Sequence, residues 1–355
     1  MTDEKGTLLL RKGYVITSKA QLEVLVQKGV YANTAYVAPA SSPPPVAAAA
    51  PAKRSPFQFL DSFLVRLKRI CDDLKAGVQG DLPERIMQYC RDVQQLCRMD
   101  SDAVLGAVHL IHDDRYTVVH GLHTAILTEL FLRTMSIAGE DRLPILAAAL
   151  THDVGMMDLQ ETLHRQSSPL SDAQWAQIRQ HPHISVDMLE AVGVIDGVWL
   201  DTVLHHHERL DGSGYPHQLE EEDIFFPVRV LAIADVYSAM IKRRAYREPL
   251  LAKEALRDIF LQRAGGVDPH LTKIFVKELG IFPPGAFVRL RNGEVAVVTH
   301  RGKNGSSPVA QTVVGPRGAP LERPIRRDTS VDEFSITEMV QRDKVVSINL
   351  RSLWG

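Results

Sequence analysis

The sequence predicts a mainly helical protein, with a small α+β unit at its N-terminal end and a small β-rich extension at its C-terminal end. Three observations carry this expectation. Apolar residues recur at helical spacing from Phe57 to about Leu279. A stretch rich in Pro, Ala and Ser, VAPASSPPPVAAAAPAKRSP, precedes them. After Pro283–Pro284 the texture changes to short apolar runs around an Asn-Gly pair.

In chain order, residues 1–37 read as the small unit, with a strand-like LLLRKGYVI and a helix-like SKAQLEVLVQKGVY opened by Ser18 as N-cap. Residues 38–56 read as a linker, because that composition buries too little apolar surface to order itself. Residues 57–280 form the helical domain. Leu60, Leu64, Leu67 and Leu74 trace one face of its first helix. Ser171-x-x-Gln174 is a capping-box pattern for the helix carrying Trp175 and Ile178, and Pro182 is expected to end it. Residues 281–355 form the extension. AFVRL, Asn292–Gly293 and EVAVVTH read as a β-hairpin, since Asn-Gly supplies the positive φ of a tight turn. Further strands are expected at 309–314 and 344–350.

Composition excludes several classes. Lys plus Arg (41) nearly balance Asp plus Glu (43), so global charge points neither to DNA nor to an anionic membrane surface. The longest apolar runs, such as Ile145–Leu150, are far shorter than the roughly 20 residues that span a bilayer. The N-terminus lacks the pattern of a secretory signal, and the 3 cysteines cannot make a disulfide framework. Cys90 and Cys97 read as buried thiols. A cytoplasmic protein without membrane insertion is expected.

The histidines stand out by their neighbours. His120 lies in VVHGLH, His152–Asp153 in ALTHDVG, and His181 in RQHPHIS. His205, His206 and His207 lie in LHHHERLDGSGYP, and Asp235 follows an apolar run in LAIADVYSAM. Singly, each has a plain structural reading as a core or surface residue. Imidazole and carboxylate together suit Fe, Mn or Zn, and a carboxylate entering an apolar helix is costly unless paired or metal-bound. A second doublet, His112–Asp113, sits in a polar stretch and reads as solvated.

The order and surroundings of these segments resemble the HD-GYP subgroup of the HD phosphohydrolase superfamily over roughly residues 100–280. HHERLDGSGYP is the most specific part, followed by IADVY and RRAYR. The resemblance implies a helical HD-domain bundle that hydrolyses cyclic di-GMP or a related cyclic dinucleotide to pGpG, GMP or both. It also implies metal ligands at His120, His152, Asp153, His181, His206, His207 and Asp235, with His152 and Asp153 catalytic and Asp153 bridging. Trinuclear relatives carry a glutamate where this chain has Tyr116, so two divalent ions are expected, Fe or Mn fitting best. Two such ions outweigh two carboxylates and favour an anionic phosphodiester.

DGSGYP reads physically as a tight loop, with Gly available for positive φ. By the resemblance, Tyr215 borders the substrate and Gly214, Tyr215 and Pro216 offer a surface to GGDEF-domain proteins. Arg244 and Arg247, a turn apart, are assigned to the substrate's phosphates, which guanidinium forks match; a solvated basic face including Lys242 is the plain alternative. A homodimer is a further expectation. The flanking units are read as a dimerisation or regulatory element and as either a cap on the helical core or an interaction surface.

The chain departs from the family at three positions. Met156 stands where a lysine usually follows the doublet, Ser238 where an aspartate usually follows the last ligand, and Ser185 where a glycine is common. The first two suggest a lost ion pair, since removing one member alone strands a buried charge. They also favour an alternative reading as a catalytically weak dinucleotide receptor or a GGDEF-interacting signalling protein.

Overall fold

The structure is a computed structural model that describes residues 55–111, 116–242, 249–261, 266–302, 306–342 and 353–354. The expected N-terminal unit, nearly all of the linker, the second doublet, Arg244, Arg247 and the expected strand at 344–350 lie outside the described residues.

The helical body comprises α1 (Leu60–Lys75), α2 (Leu82–Met99), α3 (Ser101–Leu110), α4 (Tyr116–Thr134), α5 (Gly139–Thr151), α6 (Met157–Arg165), α7 (Asp172–Ala191), α8 (Gly197–His205), α9 (Phe226–Met240), α10 (Ala252–Phe260) and α11 (Pro269–Leu279). α1 buries its leucine stripe as its periodicity requires. α4 is different: every residue from Thr117 to Leu132 is buried. It forms the axis of the body, with α1, α2, α5, α9 and α11 packed around it. A helix buried all round needs internal partners for its polar groups. Glu129 receives Arg142 Nε and Nη2, each at 3.0 Å, so this buried charge is matched by a guanidinium fork.

Pro182 does not end its helix. α7 opens at the expected Ser171 capping box and runs on to Ala191. The proline removes only the hydrogen bond to Ile178, and the freed carbonyl finds another donor, His181 Nδ1, at 2.6 Å.

The C-terminal strands β1 (Phe287–Leu290), β2 (Val295–His300), β3 (Val309–Val314), β4 (Pro320–Asp328) and β5 (Ile336–Met339) form one antiparallel sheet in the order β4-β3-β2-β1-β5. β1 and β2 are the hairpin read from Asn292–Gly293, and Gly293 has φ +86°. The strands β4 and β5 were not anticipated. The sheet packs Phe287, Val297 and Val313 against Leu110 at the end of α3, and Arg301 binds Asp102 and Glu278 of the helical body. Cys71, Cys90 and Cys97 are buried, and burial raises the Cys71 thiol to about 12. Among the described residues no helix is long and apolar enough to cross a membrane.

Candidate metal centre

Five helices bring the predicted ligands together. His120 projects from α4, His152 and Asp153 follow α5, His181 lies in α7, His206 and His207 follow α8, and Asp235 lies in α9. The side chains form two groups with all donor atoms within 4.8 Å of one another: Asp153, His181, His206 and His207, and beside them His120, His152 and Asp235.

Asp153 stands between the groups. Its Oδ2 lies 3.6 Å from His152 Nε2 and 3.8 Å from His120 Nε2. Its Oδ1 lies 3.3 Å from His181 Nε2 and 3.9 Å from His206 Nε2. One carboxylate oxygen thus faces each group. His120 Nε2 also meets Asp235 Oδ1 at 2.9 Å.

Local backbone chemistry aims the rings. His152 Nδ1 bonds to the Ala149 carbonyl at 2.9 Å and His206 Nδ1 to the Val203 carbonyl at 2.7 Å. Both carbonyls belong to last helical turns, where they lack intrahelical donors. His181 uses the carbonyl that Pro182 vacates. In each case Nδ1 is the donor and Nε2 is the nitrogen that faces its neighbours, the arrangement by which outer hydrogen bonds orient a ligating ring. His120 has no free carbonyl within its own helix. Its Nδ1 lies 3.1 Å from Ser238 Oγ instead.

The residues fit divalent metal. His152 Nε2 is buried without a hydrogen-bond partner. Burial would raise the Asp153 and Asp235 carboxyls, but the surrounding histidines outweigh it and hold both well below the usual range. Burial would lower His152, yet Asp153 and Asp235 hold it up at about 9. Burial and neighbouring imidazoles push His206 down, and burial and His181 push His207 down to about 3. Ionised carboxylates beside the neutral imidazoles of His206 and His207 are the state in which these groups ligate, and His152, held up by two carboxylates, would give up its proton to a bound cation.

Several contacts correct or extend the sequence reading. Ser238 and Met156 stand in different surroundings. Ser238 is fully buried on His120, whereas Met156 lines a hollow of about 650 Å³ with Leu159, Gln177, Gln180 and Ile184. Ser185 is more than a tolerated glycine replacement: its hydroxyl accepts from Gly155 N at 2.9 Å and donates to the His152 carbonyl at 2.8 Å, tying α7 to the doublet. Gly155 is required there, since a Cβ would stand 2.7 Å from the His181 carbonyl oxygen. Lys242 is not part of a solvated face. It is 4% exposed, and its Nζ donates to the carbonyls of Val108 and Ile111 at 3.3 and 3.0 Å. Tyr116, on which the expectation of two ions rests, stacks on His120 (centroids 5.7 Å apart, 8° between planes) and on His164 (4.8 Å, 26°).

Tyr215 lies 4.7 Å from the His207 ring, centroid to centroid, and lines a cavity of about 380 Å³ with Arg179, Gln180, His183, Gly214 and Pro216. Gly214 allows close approach rather than positive φ, because a Cβ would stand 2.5 Å from Glu208 Cα; the positive φ falls on Gly212, at +72°. Sequence reasoning missed Glu208, which is 2% exposed and accepts from the amides of His217 (2.6 Å) and Leu219 (3.0 Å), pinning the loop beneath Tyr215. It also missed Gln160 and Arg179, since neither belongs to a recognisable motif.

Residues 109–271 match the family model described as HD domain. Among characterised proteins, the chain is 34% identical over 197 residues to cyclic di-GMP phosphodiesterase PA4108 of Pseudomonas aeruginosa, covering 56% of this chain and 47% of the relative. It is 30% identical over 216 residues to the cyclic di-GMP phosphodiesterase response regulator RpfG of Xanthomonas campestris, covering 59% and 55%. It is 26% identical over 224 residues to 3'3'-cGAMP-specific phosphodiesterase 3 of Vibrio cholerae, covering 62% and 48%. The chain therefore spans about half the length of the curated relatives it matches. These matches agree with the family read from the motifs: residues 109–271 of this chain are similar to the HD domain.

Proposed function

We propose that this chain is a metal-dependent phosphodiesterase that opens cyclic di-GMP, giving pGpG, GMP or both. The observation that carries this reading is Asp153 with one oxygen facing each of two His/carboxylate groups. His181, His206, His207 and Asp153 would hold one ion, and His120, His152, Asp235 and Asp153 the other. Fe(II) or Mn(II) suits this donor set best. Bound there, such ions supply Lewis acidity toward phosphoryl oxygens and acidify water.

The chain's own residues do the rest. The ring contacts of Tyr116 on His120 occupy the place where a further ligand would stand, which supports a two-ion centre. Tyr215 offers an aromatic wall beside His207, and Arg179 supplies a guanidinium at the same cavity. Arg244 and Arg247 are assigned to the phosphates, and Gly214, Tyr215 and Pro216 to substrate or to a GGDEF-domain partner. A homodimer working in the cytoplasm is part of the same reading, as is the organisation into residues 1–37, 38–56, 57–280 and 281–355. Relatives named for both cyclic di-GMP and 3'3'-cGAMP support the cyclic-dinucleotide class.

A second reading, a dinucleotide receptor with weak turnover, is favoured by Met156, which offers no cation beside the doublet. Anaerobic purification with metal analysis, then chromatography of cyclic di-GMP incubated with Fe(II)- or Mn(II)-loaded protein, separates the two. Accumulation of pGpG or GMP that a His152→Ala/Asp153→Ala variant lacks establishes the enzyme. Bound but uncut dinucleotide on a metal-loaded protein establishes the receptor.

A further inference from the structure

Gln160 lies on α6, outside every motif that carries the ligands. Its Nε2 donates to Asp153 Oδ2, the oxygen facing His120 and His152. Its Oε1 is buried with no hydrogen-bond partner. Exchanging the two amide atoms does not relieve this, because a carboxylate only accepts and the exchange would set two acceptors against each other. The orientation is therefore fixed by Asp153, and an orphaned oxygen is tolerated to keep it.

We propose that Gln160 is a positioning residue of the metal centre, locking the Asp153 carboxylate so that each oxygen faces one ligand group. A carboxylate can rotate about its last bond, and a rotated Asp153 no longer presents Oδ1 to His181 and Oδ2 to His152 together. Gln160 donates to Oδ2 of this carboxylate from a neutral amide. Neutrality matters: a lysine or arginine there would compete with the cations for the same charge, whereas an amide N–H orients the oxygen and leaves its charge available. The inference rests on the two-ion reading above and adds the residue that sets the bridge.

The test uses the full chain, freed of metal with a chelator and titrated with Mn(II), reading stoichiometry and affinity by calorimetry and spin coupling between ions by electron paramagnetic resonance. Wild type is expected to bind two ions and to show the coupled signal of a shared carboxylate. Gln160→Met keeps the length and removes the donor. It is expected to bind the second ion roughly 10- to 100-fold more weakly, with the coupled signal reduced and the melting temperature of the metal-free protein little changed. Gln160→Leu, which also lacks the donor and adds no ligand, serves if the methionine variant fails to fold. Wild-type affinity and coupling in the variants overturns the proposal while the two-ion reading stands. Fewer than two ions in wild type overturns that reading and this inference with it.

Discussion

Ser238 Oγ lies 3.1 Å from His120 Nδ1, and the hydroxyl is the partner that turns this ring toward Asp235 and Asp153. The other rings of the centre with a fixed Nδ1 use backbone carbonyls; His120, in mid-helix, depends on a side chain from α9. Ser238→Ala is expected to weaken metal binding roughly 10-fold and to destabilise the protein by about 1–3 kcal/mol, because a buried Nδ1 loses its partner. Ser238→Asp, which offers a charged acceptor, is expected to tighten metal binding. Calorimetric titration with Mn(II) and thermal melts of the metal-free proteins check both.

Pro182 supplies His181 with its acceptor by leaving the Ile178 carbonyl without a helical donor. Pro182→Ala restores an N–H that competes for the same carbonyl. The variant is expected to be as stable as wild type or more so, since a helical proline costs about 3 kcal/mol, yet to bind metal roughly 10-fold more weakly. A rise in melting temperature with tighter metal binding contradicts this account.

Metal and folding are coupled here, because the ligands come from separate helices. Mn(II) at about 100 times its dissociation constant is expected to stabilise the chain by roughly 2.7 kcal/mol per site. Chelator reverses the gain, and Asp153→Ala abolishes most of it. Melting curves across a Mn(II) series measure the effect.

Glu208 holds two amides of the loop that carries Tyr215. Glu208→Ala strands both N–H groups and is expected to cost roughly 2 kcal/mol or more. Hydrogen exchange of the His217 and Leu219 amides should accelerate before global unfolding does. Unchanged protection at these amides shows that the loop is held by other contacts.

Glu294 anchors the sheet. Arg327 grips both carboxylate oxygens at 2.8 and 2.7 Å, and with Thr312 it holds the carboxyl down at about 2. The folded value is depressed, so the contribution to stability is complete above the ordinary carboxylate range. It is lost as pH falls from about 4.5 toward 2. Glu294→Gln is expected to lower the melting temperature at pH 7 and to flatten the loss between pH 5 and 2.

The sequence by itself determined the helical class, the hairpin at Asn292–Gly293, the capping box at Ser171 and the identity of the seven ligand candidates. These are local properties: period, turn chemistry and residue type at fixed spacing. The tertiary structure decided how the ligands divide into two groups and which oxygen of Asp153 faces each. It decided that Pro182 serves His181 rather than ending a helix, that Ser238 meets His120, and that Lys242 is buried. Gln160, Glu208 and Ser185 acquire their contacts only when α6, α7 and the loop pack against the doublet. A hydrogen bond between segments far apart in the chain leaves no periodic mark in either one, so composition and spacing do not carry it.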